Sequence, residues 1–291
     1  MNLTIGSLYN SNVQKLKALY QEEESRAMAD RLFEYFLMLT PARRVISGAD
    51  PVEEKIIEAM DGAIGKLLNH VPLQYVLAKA YFMDMEFAVD DSVLIPRPET
   101  EELVSLILAE MAKKSVRDPL RILDIGTGSG CIAIALKRNI HECKVTAIDI
   151  SEKALNIAQS NAKSNNAAVS FIKADILDQS YWGQFSGFDL IVSNPPYVTH
   201  AEKALMHPNV LEYEPHNALF VPDNDPLVFY RNILEFASSK LTPEGSLWFE
   251  INEMFGSELK DLANSMGYKE VNIIFDFHGK SRFLHCSKKN Y

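Results

Sequence analysis

Ile122-Leu123-Asp124-Ile125-Gly126-Thr127-Gly128-Ser129-Gly130 is a largely apolar run that breaks into glycines at alternate positions. A short apolar run of this kind reads as a buried strand. Glycines directly after it make a turn whose backbone a ligand can approach closely. The apolar stretch 131–138 then has helical length, so the unit reads strand, loop, helix. Outward from it, strands are expected at 144–149, 169–174, 188–193 and 245–251, with helices at 152–164, 226–240 and 257–266. Such alternation predicts an α/β fold, a doubly wound and mostly parallel sheet. The last two expected strands, 271–277 and 281–287, have too short a link for a helical crossover, so they should run antiparallel.

The N-terminal region has a different period. Leu16, Leu19 and Tyr20 recur at helical spacing, as do Ala29, Leu32, Phe33, Phe36 and Leu37. Ile56, Ala59, Met60, Ala63, Ile64 and Leu67 share one helix face, and Thr40-Pro41 and Asp50-Pro51 read as helix starts. Residues 1–75 are expected to form a bundle of four or five helices. Residues 76–95 change character: 80–89 alternates partly, Asp90-Asp91 interrupts it and Val93-Leu94-Ile95 follows, which reads as a hairpin linker. Pro96-Arg97-Pro98-Glu99-Thr100 stops that strand and opens a helix over 101–111, within a larger domain spanning 96–291.

Composition narrows the function. A net charge of −10 argues against a large non-specific nucleic-acid footprint and leaves open a basic protein or ribonucleoprotein partner. No direct sequence-specific contact with nucleic acid is expected, and the chain is expected to be a monomer. Cys131, Cys143 and Cys286 have neither paired nor metal-ligand spacing, so no metal is expected and a reducing compartment is. Residues 1–10 lack a basic segment followed by an apolar run, and no uncharged apolar stretch approaches the ~20 residues of a membrane helix. A cytoplasmic protein without membrane association is expected.

The loop from Gly126 through Thr127, Gly128 and Ser129 to Gly130 is spaced GxGxG, not GxGxxG as in a dinucleotide fold, and few basic residues surround it. Asp149 ends the next strand, where a carboxylate can accept hydrogen bonds from both hydroxyls of a ribose. Asp175 follows the third strand and could accept from an adenine amine. Taken singly, the glycines make a tight turn and the aspartates cap helices; dinucleotide binding is the rival ligand reading. Taken as an ordered series, they fit S-adenosyl-L-methionine.

Asn194-Pro195-Pro196-Tyr197 leaves another apolar strand. Read alone it is a rigid turn with a local asparagine cap. Its chemistry suggests more. An amide or aromatic amine nitrogen shares its lone pair with a π-system and attacks a methyl sulfonium poorly unless acceptors take its N–H bonds. The Asn194 side-chain oxygen and the Pro195 carbonyl can be those acceptors. The prolines fix the backbone and add no competing donor. Tyr197 offers a flat face to a planar group. No general base is required, since the nitrogen can lose its proton to solvent after attack.

With Leu94-Ile95-Pro96-Arg97-Pro98-Glu99-Thr100-Glu101, the two motifs above, and Glu214-Pro215 followed by Ala218-Leu219, the chain resembles the release-factor glutamine methyltransferases over nearly its whole length. The resemblance implies a class I, Rossmann-like methyltransferase domain with a seven-stranded sheet and an antiparallel last strand, behind a helical bundle that docks class 1 peptide chain release factors. It implies methyl transfer from S-adenosyl-L-methionine, leaving S-adenosyl-L-homocysteine, to the glutamine amide of a Gly-Gly-Gln tip. Asn194, Pro195, Pro196 and Tyr197 would hold that amide; Gly126 to Gly130, Asp149, Asp175, Ile176 and Asn194 would hold the cofactor. At Ile176 some relatives carry an aromatic residue, so adenine stacking would give way to aliphatic packing. Arg97 either organises the pocket or pairs at the surface with Glu99 or Glu101. Phe87 and Leu94 either line the pocket or pack in the core. The rivals are a nucleic-acid adenine or guanine methyltransferase, a methyltransferase of another protein glutamine, and a non-catalytic scaffold.

Overall fold

Short polar side chains set the helix starts of the N-terminal region. In the computed structural model, which describes residues 3–113 and 119–288, Thr4 and Ser7 form a capping box at the start of α1 (Ile5–Leu16). Three glutamates open α2 (Glu22–Leu37), where negative charge complements the helix dipole. Thr40 accepts from the Arg43 N–H and caps α3 (Pro41–Ile46). Asp50-Pro51, expected to open a helix, does not. The Ile5 N–H donates to the Asp50 carbonyl at 3.0 Å and the Val52 N–H to the Leu3 carbonyl at 2.9 Å. This backbone is committed to a β-bridge between Thr4 and Pro51, so α4 (Glu54–Leu68) begins later. After α5 (Leu73–Val76), the helices close on a core that includes Leu16, Leu32, Phe33, Met60 and Leu67. They form one of two compact units, residues up to Lys79 together with His207–Tyr213; the other is Ala80–Met206 with Glu214 onward. The outer ends of the two expected domains, residues 1–2 and 289–291, lie outside the described residues.

Next along the chain, β1 (Lys79–Phe82) and β2 (Met85–Ala88) form a hairpin. Its two turn residues, Met83 and Asp84, both have positive φ (49° and 58°), the backbone of a tight two-residue turn. Val93-Leu94-Ile95, expected to continue it as a strand, is not one; the Ile95 N–H donates to the Glu214 carboxylate at 3.4 Å rather than to a neighbouring strand.

The second unit then runs α6 (Pro98–Met111), β3 (Leu120–Ile125), α7 (Cys131–Asn139), β4 (Cys143–Asp149), α8 (Glu152–Ser164), β5 (Val169–Lys173) and β6 (Phe188–Ser193). Four short elements follow, β7 (Val198–Thr199), α9 (Pro208–Tyr213), α10 (His216–Leu219) and β8 (Phe220–Val221), of which α9 belongs to the first unit. The chain ends with α11 (Val228–Lys240), β9 (Leu241–Glu250), α12 (Gly256–Ser265), β10 (Lys269–Phe275) and β11 (Ser281–Ser287). The sheet order is β10-β11-β9-β6-β3-β4-β5. Only β11 is reversed, antiparallel to both neighbours. Alternate residues face opposite layers: Ile122 and Val192 pack with α6 and α7, Leu123 and Ile191 with α11. The strand order turns back at β3, where β4 lies on one side and β6 on the other. Ligands of open α/β sheets bind outside the carboxyl ends at such a switch point. Ile125 and Ser193 are paired there, and the Ser193 hydroxyl donates to the Ile125 carbonyl at 2.7 Å. The glycine loop and the Asn-Pro-Pro-Tyr segment therefore leave the sheet side by side.

Candidate active site

The glycine loop is pinned from three directions. The N–H groups of Gly126 and Thr127 both donate to the Ile148 carbonyl, at 2.9 and 3.0 Å. The Thr127 hydroxyl donates to the Asp124 carboxylate at 2.7 Å, which also accepts from the Ala133 N–H at 3.2 Å. Asn161 of α8 donates to the Ser129 carbonyl at 2.9 Å and accepts from the Ala88 N–H at 2.7 Å, tying the loop to β2. Gly126 and Gly128 have positive φ (73° and 54°), and a Cβ on either would meet nothing within 4 Å. Their backbone is bare toward open space. Gly130 is different: its added Cβ would lie 3.1 Å from both the Ala158 Cβ and the Ile134 Cδ1.

That open space is a cavity of about 230 Å³. Its walls are aliphatic, with Ile125, Ile148 and Ile233 among them, and no Lys or Arg is among its described lining residues. Asp149 enters from the end of β4. One of its oxygens accepts from the Gly128 N–H and the other from the Ser151 N–H, each at 2.9 Å, which leaves each a further lone pair. Burial raises its pKa, against the backbone N–H groups of Ser151, Gly128 and Ile150. Asp175 and Ile176 line the far side, and Asp175 accepts from the Leu177 N–H at 2.9 Å. Asn194, Pro195 and Pro196 close the remaining side.

Of the residues singled out in the sequence, Gly126, Gly128, Asp149, Asp175, Ile176, Asn194, Pro195 and Pro196 meet at this cavity. Thr127, Ser129 and Gly130 do not line it: the first two are buried beneath the loop, and Gly130 serves helix packing. Tyr197 does not line it either. Its hydroxyl donates to Glu250 at 3.0 Å, and its ring packs against the α11 side of the core. Leu94 is a lining residue, whereas Phe87 is wholly buried in the core. Arg97 pairs with Glu214 at 2.5 Å, not with Glu99 or Glu101. Glu214 is almost completely buried; burial raises its pKa, with Arg97 pulling the other way.

Two residues behind Asn194 were given no role from the sequence: Glu250, and Thr100, which entered only as part of the Pro-Arg-Pro-Glu-Thr stretch. The Asn194 Nδ2 donates to the Thr100 hydroxyl at 3.2 Å, and that hydroxyl donates to Glu250 at 2.6 Å. Glu250 is 2 % exposed; burial raises its pKa, while Thr100, Tyr197 and Arg282 oppose the rise. The available signal was an acid directly after the apolar run Leu247-Trp248-Phe249, as Asp149 follows Ala147-Ile148.

Known proteins place this geometry in a family. Residues 8–77 match the model of the PrmC N-terminal domain, and residues 102–212 that of the methyltransferase small domain. The release factor glutamine methyltransferase of Flavobacterium psychrophilum is 43% identical over 272 residues, 94% of this chain and 95% of that protein. That of Bacteroides thetaiotaomicron is 42% identical over 280 residues, 94% and 97% of the two chains. Among solved structures, a methyltransferase from Pyrococcus furiosus superposes with a TM-score of 0.51 at 20% identity, covering 79% of this chain and 99% of that one, which is a likeness of fold. The chain therefore belongs to the release factor glutamine methyltransferase family.

Proposed function

We propose that the cavity holds S-adenosyl-L-methionine and that the chain methylates the side-chain amide nitrogen of the glutamine in the Gly-Gly-Gln tip of class 1 release factors. The observation that carries this reading is the placement of Asn194. Its Nδ2 is taken up by Thr100 on one side, and the residue lines the same cavity as the bare glycine backbone on the other.

The cavity fits the cofactor by the chemistry of its lining. Aliphatic walls and two carboxylates, without a described cation, suit a neutral nucleoside and a sulfonium better than a phosphate. Asp149, with a free lone pair on each oxygen, would take the ribose hydroxyls; Asp175 would take the adenine amine, which Ile176 would pack against. Bound there, S-adenosyl-L-methionine would supply an electrophilic methyl group, and the surplus proton of the substrate nitrogen would leave to water. The chain's task is to aim the nitrogen. Asn194 Oδ1 and the Pro195 carbonyl would accept the two amide N–H bonds, returning electron density to nitrogen and fixing its approach. Pro196 stiffens this edge, and Tyr197 braces it from behind through Glu250.

The helical bundle, residues 1–75 on the sequence reading, would provide release-factor docking, with 76–95 as linker and 96–291 as the catalytic domain. A cytoplasmic monomer without sequence-specific nucleic-acid contacts is the reading carried over from the sequence; among the described residues no helix is long and apolar enough to cross a membrane. Asn194→Ala tests the assignment. It should lower methyl transfer by about 100-fold or more while cofactor affinity, measured by calorimetry, changes only a few-fold. Transfer at an undiminished rate would remove Asn194 from its role.

A further inference from the structure

The hydrogen bonds behind Asn194 have a polarity that can be followed atom by atom. An ionised carboxylate only accepts, and a threonine hydroxyl has one proton to give. The 2.6 Å contact from the Thr100 hydroxyl to Glu250 Oε2 commits that proton. The Thr100 oxygen is then left with lone pairs only, so the atom of Asn194 that meets it must be a donor, which is Nδ2 at 3.2 Å. With the amide turned over, Oδ1 would face lone pairs instead. Glu250 is itself held on every side. Its other oxygen accepts from Tyr197 at 3.0 Å, and its backbone carbonyl accepts from the buried Tyr230 hydroxyl at 3.1 Å. Thr100, 3 % exposed, sits in the first turn of α6 and so comes from a different part of the chain.

We propose that Glu250 is a positioning residue that acts through Thr100 to fix which end of the Asn194 amide faces the cavity. A buried carboxylate is costly to keep, so a neutral residue would serve stability better. A neutral glutamine at 250 could donate to Thr100, which would free the threonine proton for Asn194 Oδ1 and permit the reversed amide. An ionised carboxylate, whose two oxygens both accept hydroxyl protons here, excludes that alternative. The inference rests on the reading that Asn194 Oδ1 receives the substrate amide; the direction of the amide itself is a property of the protein alone.

The test therefore has two readouts. Side-chain amide hydrogen exchange, in full-length protein labelled with nitrogen-15 asparagine and assigned with Asn194→Ala, reads the lock without substrate. The Asn194 amide should be protected in the wild type, lose protection by about tenfold or more in Thr100→Val and in Glu250→Gln, and regain it in Thr100→Ser. The double variant should be no worse than its worse parent, because both changes break one chain of bonds. Unchanged protection in the folded single variants, or effects that multiply in the double variant, would overturn the proposal. Should Thr100→Val not fold, Glu250→Gln beside Thr100→Ser decides by the same criterion. The second readout is methyl transfer to release factor: kcat should fall about 10- to 100-fold in Glu250→Gln with the cofactor dissociation constant unchanged. A wild-type enzyme inert toward release factor would overturn the substrate assignment, while amide exchange would still decide the lock.

Discussion

Asp124 stands at the head of the glycine loop, fully buried, with Oδ1 meeting no hydrogen-bond partner among the described residues. Burial pushes its carboxyl up to about 7, although Thr127 and Ala133 both donate to it. An unfolded aspartate ionises near pH 4. Below that, both states are protonated and nothing is lost. Between about pH 4 and 7 the unfolded chain gives up its proton first, so Asp124 costs the folded state stability as pH rises, and the full cost persists above 7. Urea midpoints of wild type and Asp124→Asn should accordingly diverge in the variant's favour from pH 4.5 to pH 8; a constant difference would contradict this account of the site. At this scale the sequence was partly legible. Asp149, Asp175 and Asn194 declare themselves by ending strands at the ligand-binding edge. Glu250 ends one too, but its partner Thr100 lies 150 residues earlier in the chain, and no local spacing joins them.

The element that organises the site is the loop between β3 and α7, and its glycines do two kinds of work. At Gly126 a side chain would have room but would sit at positive φ. Gly126→Ala should cost about 1 kcal/mol of stability and weaken cofactor affinity by more than that. At Gly130 the positive φ coincides with contacts of 3.1 Å to α7 and α8. Gly130→Ala should cost about 2 kcal/mol or more, visible as a lowered denaturation midpoint with or without ligand. If the two variants were equally stable, the packing role of Gly130 would be wrong. Strand and helix order was readable because each element carries its own period, and the reversed β11 followed from a link too short to cross over. What the sequence misread was backbone pairing settled by distant partners: Asp50-Pro51 is held by the chain around Thr4, and Ile95 by Glu214.

Among the described residues the apolar core falls into three clusters, one in the helical unit and one on each face of the sheet. Both tryptophans, Trp182 and Trp248, lie in the second unit, so their fluorescence reports on it alone, whereas circular dichroism follows helices of both. Cofactor at 100 times its dissociation constant should add about 2.7 kcal/mol to the state that binds it. The thermal midpoint should therefore rise more by fluorescence than by circular dichroism; equal shifts would mean that the whole chain responds as one cooperative body. The most direct test of the function is transfer of labelled methyl from S-adenosyl-L-methionine to a purified release factor, beside the same factor with its Gly-Gly-Gln glutamine changed to alanine and a duplex DNA control. Label on the wild-type factor, absent from the glutamine variant and from DNA, is the predicted result. Label on DNA, or on the alanine variant as strongly as on the wild type, would contradict the account.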